Sequence, residues 1–290
     1  MKCLGFTFVL LLMVSACQNP EPKTIAYQKY HLHEKVAVSG EIEGKVAADH
    51  ERSDSEQNTL EPEETDSIQK LIELFKKVDV EGISNKISYP LDRDYPITSI
   101  RNKEEFIKRF HEVFDQKLID NIAQSNISQW TEVGWRGIML DNGVVWMSFQ
   151  PGFISAINYQ SKREKNIQAE LIRKDKEQLH ATLRNFKSPV YKIQTEKFLI
   201  RIDELSENSY RYVSWKAGAD EAIQPDLVLK NGLCEMQGSG GNHEFTFVNG
   251  IYTYKVRRNI LGERDSPDVT IQVVKRGEII FIAPGSLILD

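Results

Sequence analysis

The spacing of apolar residues changes twice along the chain, and each change marks a new kind of structure. Ile68, Leu71, Ile72 and Phe75 fall at i, i+3, i+4 and i+7, which predicts a helix with one buried face, capped by Asp66 or Ser67. Asn102-Lys103-Glu104-Glu105 has the form of a capping box, and Phe106, Ile107, Phe110, Val113 and Phe114 give the buried stripe of a second helix. A short third helix is expected near Leu118 to Ala123. Between the first two, Pro90 and Pro96 keep the residues before them extended or turn-like. The period then shortens to two. Trp135 to Leu140, Val144 to Phe149 and Phe153 to Tyr159 read as strands, the first two joined by the turn Asp141-Asn142-Gly143. Helices followed by an antiparallel sheet predict an α+β domain over 66–160, with a curved sheet around its helices.

A charged stretch over 161–187, with Ile167, Leu171, Leu179 and Leu183, predicts a connecting helix that stops before Pro189. The remainder, 188–290, is strand and turn. Val190–Thr195, Phe198–Asp203, Tyr210–Trp215, Leu227–Lys230, Leu233–Gln237, Glu244–Val248, Ile251–Arg257, Val269–Lys275 and Glu278–Ile282 make nine short strands. Asn231-Gly232, Asn249-Gly250 and Arg276-Gly277 supply tight turns between neighbours. Successive hairpins of this kind predict a small antiparallel β-barrel or sandwich.

The order of elements in the first domain resembles the NTF2-like, cystatin-related cone. Its segment Gly134-Trp135-Arg136-Gly137-Ile138-Met139-Leu140, ending in Ala156-Ile157-Asn158-Tyr159, is similar to a set of uncharacterised secreted bacterial proteins of that type. Cones of this type often hold a pocket between sheet and helices. The resemblance therefore offers Trp130, Trp135, Trp146 and Tyr159 as a candidate lining, with Arg136 or His111 as polar contacts.

The N-terminus adds an address. Lys2 precedes a largely apolar run from Leu4 to Val14 and then Ser15-Ala16-Cys17, the layout of a signal peptide and too short for a permanent membrane span. Val14-Ser15-Ala16-Cys17 resembles the lipobox of bacterial lipoproteins. That implies cleavage of residues 1–16, acylation of Cys17, and a membrane partner reached through lipid. Gln18 stands where an aspartate would resemble an inner-membrane retention signal, so an outer-membrane, periplasm-facing location is expected in a host with two membranes. Residues 17–65 carry few large apolar side chains. Glu41 to Asp66 holds ten acidic residues against Lys45 and Arg52, which predicts a disordered stalk. His31, His33 and His50 in it lack the neighbouring acidic or thiol ligands of a metal site.

Composition narrows the chemistry. The 290 residues include 37 Lys and Arg against 42 Asp and Glu, and loss of Lys2 takes the net charge from −5 to −6. A mildly acidic chain without a basic run excludes nucleic acid as the expected partner. Of the three cysteines, Cys3 leaves with the signal and Cys17 goes to lipid, so Cys234 has no partner and reads as a buried, inert thiol. The sequence contains no metalloprotease, nucleophile-elbow, phosphate-loop or dinucleotide motif, and no cofactor or metal is expected. Asp92-Arg93-Asp94 lacks the further ligands of a calcium loop and reads as a solvated turn.

Gly238-Ser239-Gly240-Gly241-Asn242-His243 has more glycine than a hairpin needs, so its backbone could approach a partner closely. With the following aromatic strand and Gly250-Ile251-Tyr252, it resembles the small barrels of membrane-bound C-type lysozyme inhibitors. The carry-over reaches Ser239 and Gly240, while that family's disulfide has no counterpart here. Ser239, Gly240, Gly241, Asn242 and His243 are thus the candidate partner-binding loop. The sequence leaves three readings: a non-catalytic binding lipoprotein with a protein partner in the envelope, in its sharpest form an inhibitor of a lysozyme-like or toxin enzyme; a small-molecule carrier or enzyme using the cone; or a structural envelope protein.

Overall fold

The computed structural model describes residues 60–148, 152–238, 240–263 and 265–288. The expected signal peptide, Cys17, the histidines of the expected stalk and Ser239 lie outside the described residues.

The first helix, α1 (Pro62–Lys76), is capped at Glu61 and not at Asp66 or Ser67 as expected, because Pro62 suits its first turn and the Glu64 carboxylate accepts from the Glu61 N–H at 2.8 Å. A short α2 (Val80–Ser84), which the sequence reading missed, is capped by Asp79. Asn102 caps α3 (Lys103–Val113) and Asp115 caps α4 (Gln116–Ala123), each by accepting a backbone N–H at its helix start. These helices meet a four-stranded antiparallel sheet in the order β1 (Trp130–Glu132), β2 (Ile138–Leu140), β3 (Val145–Met147), β4 (Ile154–Ile157). Ile138, Leu140, Val145, Met147, Ile154 and Ile157 face the helices.

Phe75, Phe106, Phe110 and Phe114 fill the space between helices and sheet, with Phe110 and Phe114 stacked at 4.9 Å and Phe75 at 5.3 Å from Phe114. The strands are shorter than expected. Gly134–Arg136 is a 3-10 turn, and Gly134 and Gly137 have φ of 50° and 92°, so Trp135 lies on a turn before β2.

After Ser161 caps it, α5 (Lys162–Gln178) connects the first domain to the second. The second domain is a closed antiparallel barrel of eight strands in an up-and-down meander: β5 (Ser188–Gln194), β6 (Phe198–Ser206), β7 (Ser209–Lys216), β8 (Leu227–Met236), β9 (His243–Asn249), β10 (Tyr252–Arg258), β11 (Val269–Lys275) and β12 (Glu278–Leu287). Each strand pairs with the next, and β12 returns to β5 through Ser286 with Gln194 and Leu287 with Ile193.

Eight strands form where nine were expected, because Asn231-Gly232 is not a turn. Asn231 takes a left-handed φ of 59° and inserts an extra residue into β8, so that Gly232 faces Tyr210 while Leu229 faces Tyr212. Gly232 lies against the barrel interior, where a Cβ would stand 2.1 Å from the Phe247 ring. By contrast Arg276 and Gly277 both have positive φ and form the expected two-residue hairpin turn.

The barrel interior is packed with Ile193, Ile200, Ile202, Tyr212, Phe247 and Ile271 among others. A second apolar layer of Leu179, Leu183, Phe186, Leu199, Val213 and Trp215 lies outside it, between the wall and the segment that follows α5. Inside that outer layer sits a buried ion network. Asp203 accepts from Arg201 at 2.6 Å and from Arg211 at 2.6 Å, and Arg201 also pairs with Asp175 of α5 and with Glu221. Arg201 and Asp203 are fully buried, and the Phe186 ring lies beside both guanidinium groups. Burial pushes the Asp175 carboxyl up, but Arg201 and Lys192 outweigh it and hold it below the usual carboxylate range.

Candidate functional site at the barrel mouth

Alternation in the meander puts the β6–β7 turn and the start of β9 at one end of the barrel. That end faces β4 and the Asp92–Tyr95 loop of the first domain across a cavity of about 490 Å³. The barrel contributes Val190, Tyr210, Cys234, Met236, His243 and Phe245 to its lining; the first domain contributes Asp92, Asp94 and Ser155 to Gln160. Tyr210 and Phe245 meet edge to face at 4.9 Å, so the barrel side is largely aromatic.

Below that surface is a sealed hydrogen-bond chain. Tyr191 is buried and its hydroxyl lies 3.0 Å from His243 Nε2, while His243 Nδ1 lies 2.8 Å from the Gly241 carbonyl. A carbonyl can only accept, so Nδ1 carries the proton and Nε2 accepts from Tyr191; the two rings stack at 5.9 Å.

Burial holds the His243 imidazole below its ordinary value of 6.5, with the Arg258 charge acting the same way and the Gly241 carbonyl opposing it. Burial, with Glu235 nearby, also pushes the Cys234 thiol up to about 12, and Tyr210 is pushed up to about 12 mainly by burial. At neutral pH these barrel-side groups are therefore uncharged. Cys234 was expected to be buried and is instead half-buried on the cavity lining; the upward push on its thiol makes it a poor nucleophile.

The rim on the other side is charged but internally tied. Arg93 is buried and makes a two-pronged bond to Glu164 of α5, Nε to Oε1 at 2.6 Å and Nη2 to Oε2 at 2.5 Å, while also donating to the Ile157 and Tyr159 carbonyls. The Asp92-Arg93-Asp94 segment is thus a joint between the first domain and α5, and not the solvated turn expected. Asp92 accepts from Ser99, and burial raises its pKa. Lys187 pairs with Glu204 at 2.7 Å. Asp94 and Glu207 are exposed at the rim. No group of three or more His, Cys, Asp or Glu among the described residues could hold a metal ion.

The residues singled out in the sequence do not converge. Trp130 is in the core and donates to Ser125 Oγ at 3.1 Å; Trp135 is 62% exposed; Trp146 is half-buried on the sheet face away from the helices. Arg136 and His111 are exposed. Tyr159 alone of the four aromatics reaches the cavity, with its hydroxyl held by the Asp115 carboxylate at 2.7 Å. The space between helices and sheet that they were to line is occupied by the phenylalanines.

The glycine loop also differs from expectation. His243 begins β9 and is 1% exposed, so it supports the mouth from beneath and is not available to a partner. The Asn242 side chain accepts from the Ile260 and Leu261 N–H groups at 2.7 and 2.8 Å and donates to the Leu261 carbonyl, which ties this loop to the next one. A Cβ at Gly240 would stand 2.3 Å from Leu261 Cδ1, so a larger residue there would displace the Leu261 side chain.

No family model, curated protein or solved structure matches the chain.

The buried imidazole has a pH consequence. With its folded-state pKa depressed, His243 contributes stability that is complete above the unfolded value of 6.5 and is lost as pH falls through the lower folded value. His243→Gln, which can still accept from Tyr191, is expected to reduce the fall in melting temperature between neutral pH and about pH 5. Melting curves that fall equally for both proteins would show that His243 is not held neutral by the fold.

Proposed function

We propose that the chain is a lipid-anchored, periplasm-facing envelope protein that acts as a non-catalytic binding module. Its ligand occupies the cavity between the first domain and the barrel mouth. The observation that carries the binding reading is the cavity itself, about 490 Å³ and placed at both a domain junction and a barrel end, where ligand sites concentrate. The uncharged thiol and imidazole on its barrel side favour holding a molecule over attacking it. Tyr210, Met236 and Val190 would take an apolar portion, and the exposed carboxylates of Asp94 and Glu207 would face a donor or cationic group. The anchor belongs to this reading through Cys17, and the helix-and-sheet domain through its likeness to an NTF2-like cone.

A second reading, recognition of an envelope protein such as a lysozyme-like enzyme, has one observation in its favour. Asn242 pins the Gly240–Gly241 loop in one shape, which lowers the ordering cost of binding.

One comparison tests the main reading. Wild-type protein released from membranes is expected to carry a small molecule in native mass spectrometry, and Met236→Trp, which fills the mouth, is expected to lose it. Cys17→Ser is expected to move to the soluble fraction on a high-salt wash, which leaves acylated wild type in place, and to keep the molecule. Recovery of wild type with nothing bound, and no melting shift on adding envelope extract, would remove the binding reading; retention of Cys17→Ser through the high-salt wash would remove the anchor.

A further inference from the structure

The end of the barrel remote from the cavity carries the β9–β10 and β11–β12 turns, and its apolar side chains are uncovered. Val248 is 67% exposed, Ile251 44%, Ile279 59%, Ile280 53% and Ile282 64%. The Arg276 N–H donates to the Ile251 carbonyl at 3.1 Å, so the two hairpin tips are joined, and the pairing of β9 through β10 and β11 to β12 sets these five exposed residues on four neighbouring strands and their turns. Single exposed apolar residues are ordinary, whereas a joined group of β-branched side chains at a strand end marks an interaction surface. Lys275 and Arg276 border it, with the Lys275 ammonium 5.6 Å from the centre of the Tyr252 ring, and Glu278 is the acidic residue of these turns.

We propose that this tip docks on an anionic lipid surface, with the isoleucines entering the headgroup boundary and Lys275 and Arg276 meeting lipid phosphates. Three observations favour lipid over a second copy of the chain. The patch is made of protruding turn and strand-end side chains, which suit a fluid surface without a matching shape. Its cations and the Tyr252 ring sit at its border, the arrangement found where proteins meet a membrane interface. The strand edge that a second copy would need is present but broken: β12 is free of β5 from Glu278 to Gly285, yet Pro284 within it has no N–H to give, and a register shift opposite Val273 and Val274 interrupts it near Ile280. The inference rests on the reading that the protein works at a membrane. It assigns the barrel its own contact with that membrane, separate from the lipidated cysteine.

The test uses the full mature chain carrying Cys17→Ser, so that no acyl chain contributes. It is floated with phosphatidylcholine vesicles with and without phosphatidylglycerol. Binding is expected to the phosphatidylglycerol vesicles, weaker by about tenfold without the anionic lipid and at high salt. Ile280→Glu/Ile282→Glu is expected to weaken it by at least about tenfold with an unchanged melting temperature, because both positions are exposed. Lys275→Ala/Arg276→Ala provides a second variant that leaves the isoleucines in place and is expected to remove the preference for anionic lipid. No flotation of the parent protein, or flotation of both variants equal to the parent's, would overturn the proposal. So would a concentration-dependent dimer abolished by Ile280→Glu/Ile282→Glu, which would assign the patch to a second copy. Failure of the anchor itself would show in cell fractionation and not in this assay.

Discussion

Asp203→Ala is expected to lower the melting temperature by about 10 °C. Asp203 is fully buried on the outer face of β6 and is the shared acceptor of Arg201 and Arg211, so its removal leaves two buried guanidinium groups facing one another's charge. Removing one partner from a buried ion pair costs about 3–5 kcal/mol, and about 1 kcal/mol moves the midpoint of a protein this large by roughly 2–4 °C. Asp175 and Glu221 still neutralise Arg201, but the described ion pairs of Arg211 are to Asp203 alone, so the loss falls mainly on β7. Replacing Arg201, Asp203 and Arg211 together with apolar residues of similar volume should recover much of the stability, since well-packed replacements of buried ionic groups are often neutral. A melting curve for Asp203→Ala within about 2 °C of wild type would mean that water reaches the network.

The second large effect is expected at the joint. Arg93→Ala leaves Glu164 1% exposed with its two charge-assisted bonds gone, and it also deprives the Ile157 and Tyr159 carbonyls of a donor. The cost is again about 3–5 kcal/mol, but its form should differ. Arg93 is the buried charge that fastens the first domain to α5, and α5 is fastened to the barrel by Asp175, so wild type should unfold in urea as one unit. In Arg93→Ala the first domain should unfold at a lower urea concentration than the barrel, giving two transitions by tryptophan fluorescence and circular dichroism. Adding Glu164→Gln, which removes the stranded charge, should restore part of the loss. A single unshifted transition in Arg93→Ala would show that the two domains are joined by something other than this pair.

Much of the fold was legible because helix and strand periods in this chain are strong and their ends are marked. Asn102 and Ser161 cap the helices that follow them, and the aromatic alternation of Phe245 and Phe247 follows the barrel interior. The errors come from residues whose meaning depends on distant partners. Asn231-Gly232 has the same local chemistry as a hairpin turn, and only the position of Phe247 on β9 makes it a bulge. Gly134 and Gly137 turn the chain away from the strand that Trp135 and Ile138 suggest.

The site was less legible. Tyr191, Tyr210, Cys234 and Phe245 sit on four different strands, and nothing local distinguishes an aromatic in mid-barrel from one at its mouth. The signal that could have found them is their place at the same end of successive strands, which needs the register. Arg93 and Glu164 are 71 positions apart, and neither stands out from the many charges around it.

The seam between β5 and β12 sets the order in which the barrel can be made. Seven of its eight strand junctions join neighbours in sequence, so each can zip from its own turn at a small entropic cost. The eighth rests on Ser286 and Leu287 meeting Gln194 and Ile193, about ninety residues back along the chain. An open, twisted sheet of seven hairpins is therefore the natural forerunner of the cylinder, and until the last pairs lock it exposes an unpaired edge at Ser286 and Leu287. Whatever receives the chain as it emerges has to keep that edge from finding another sheet.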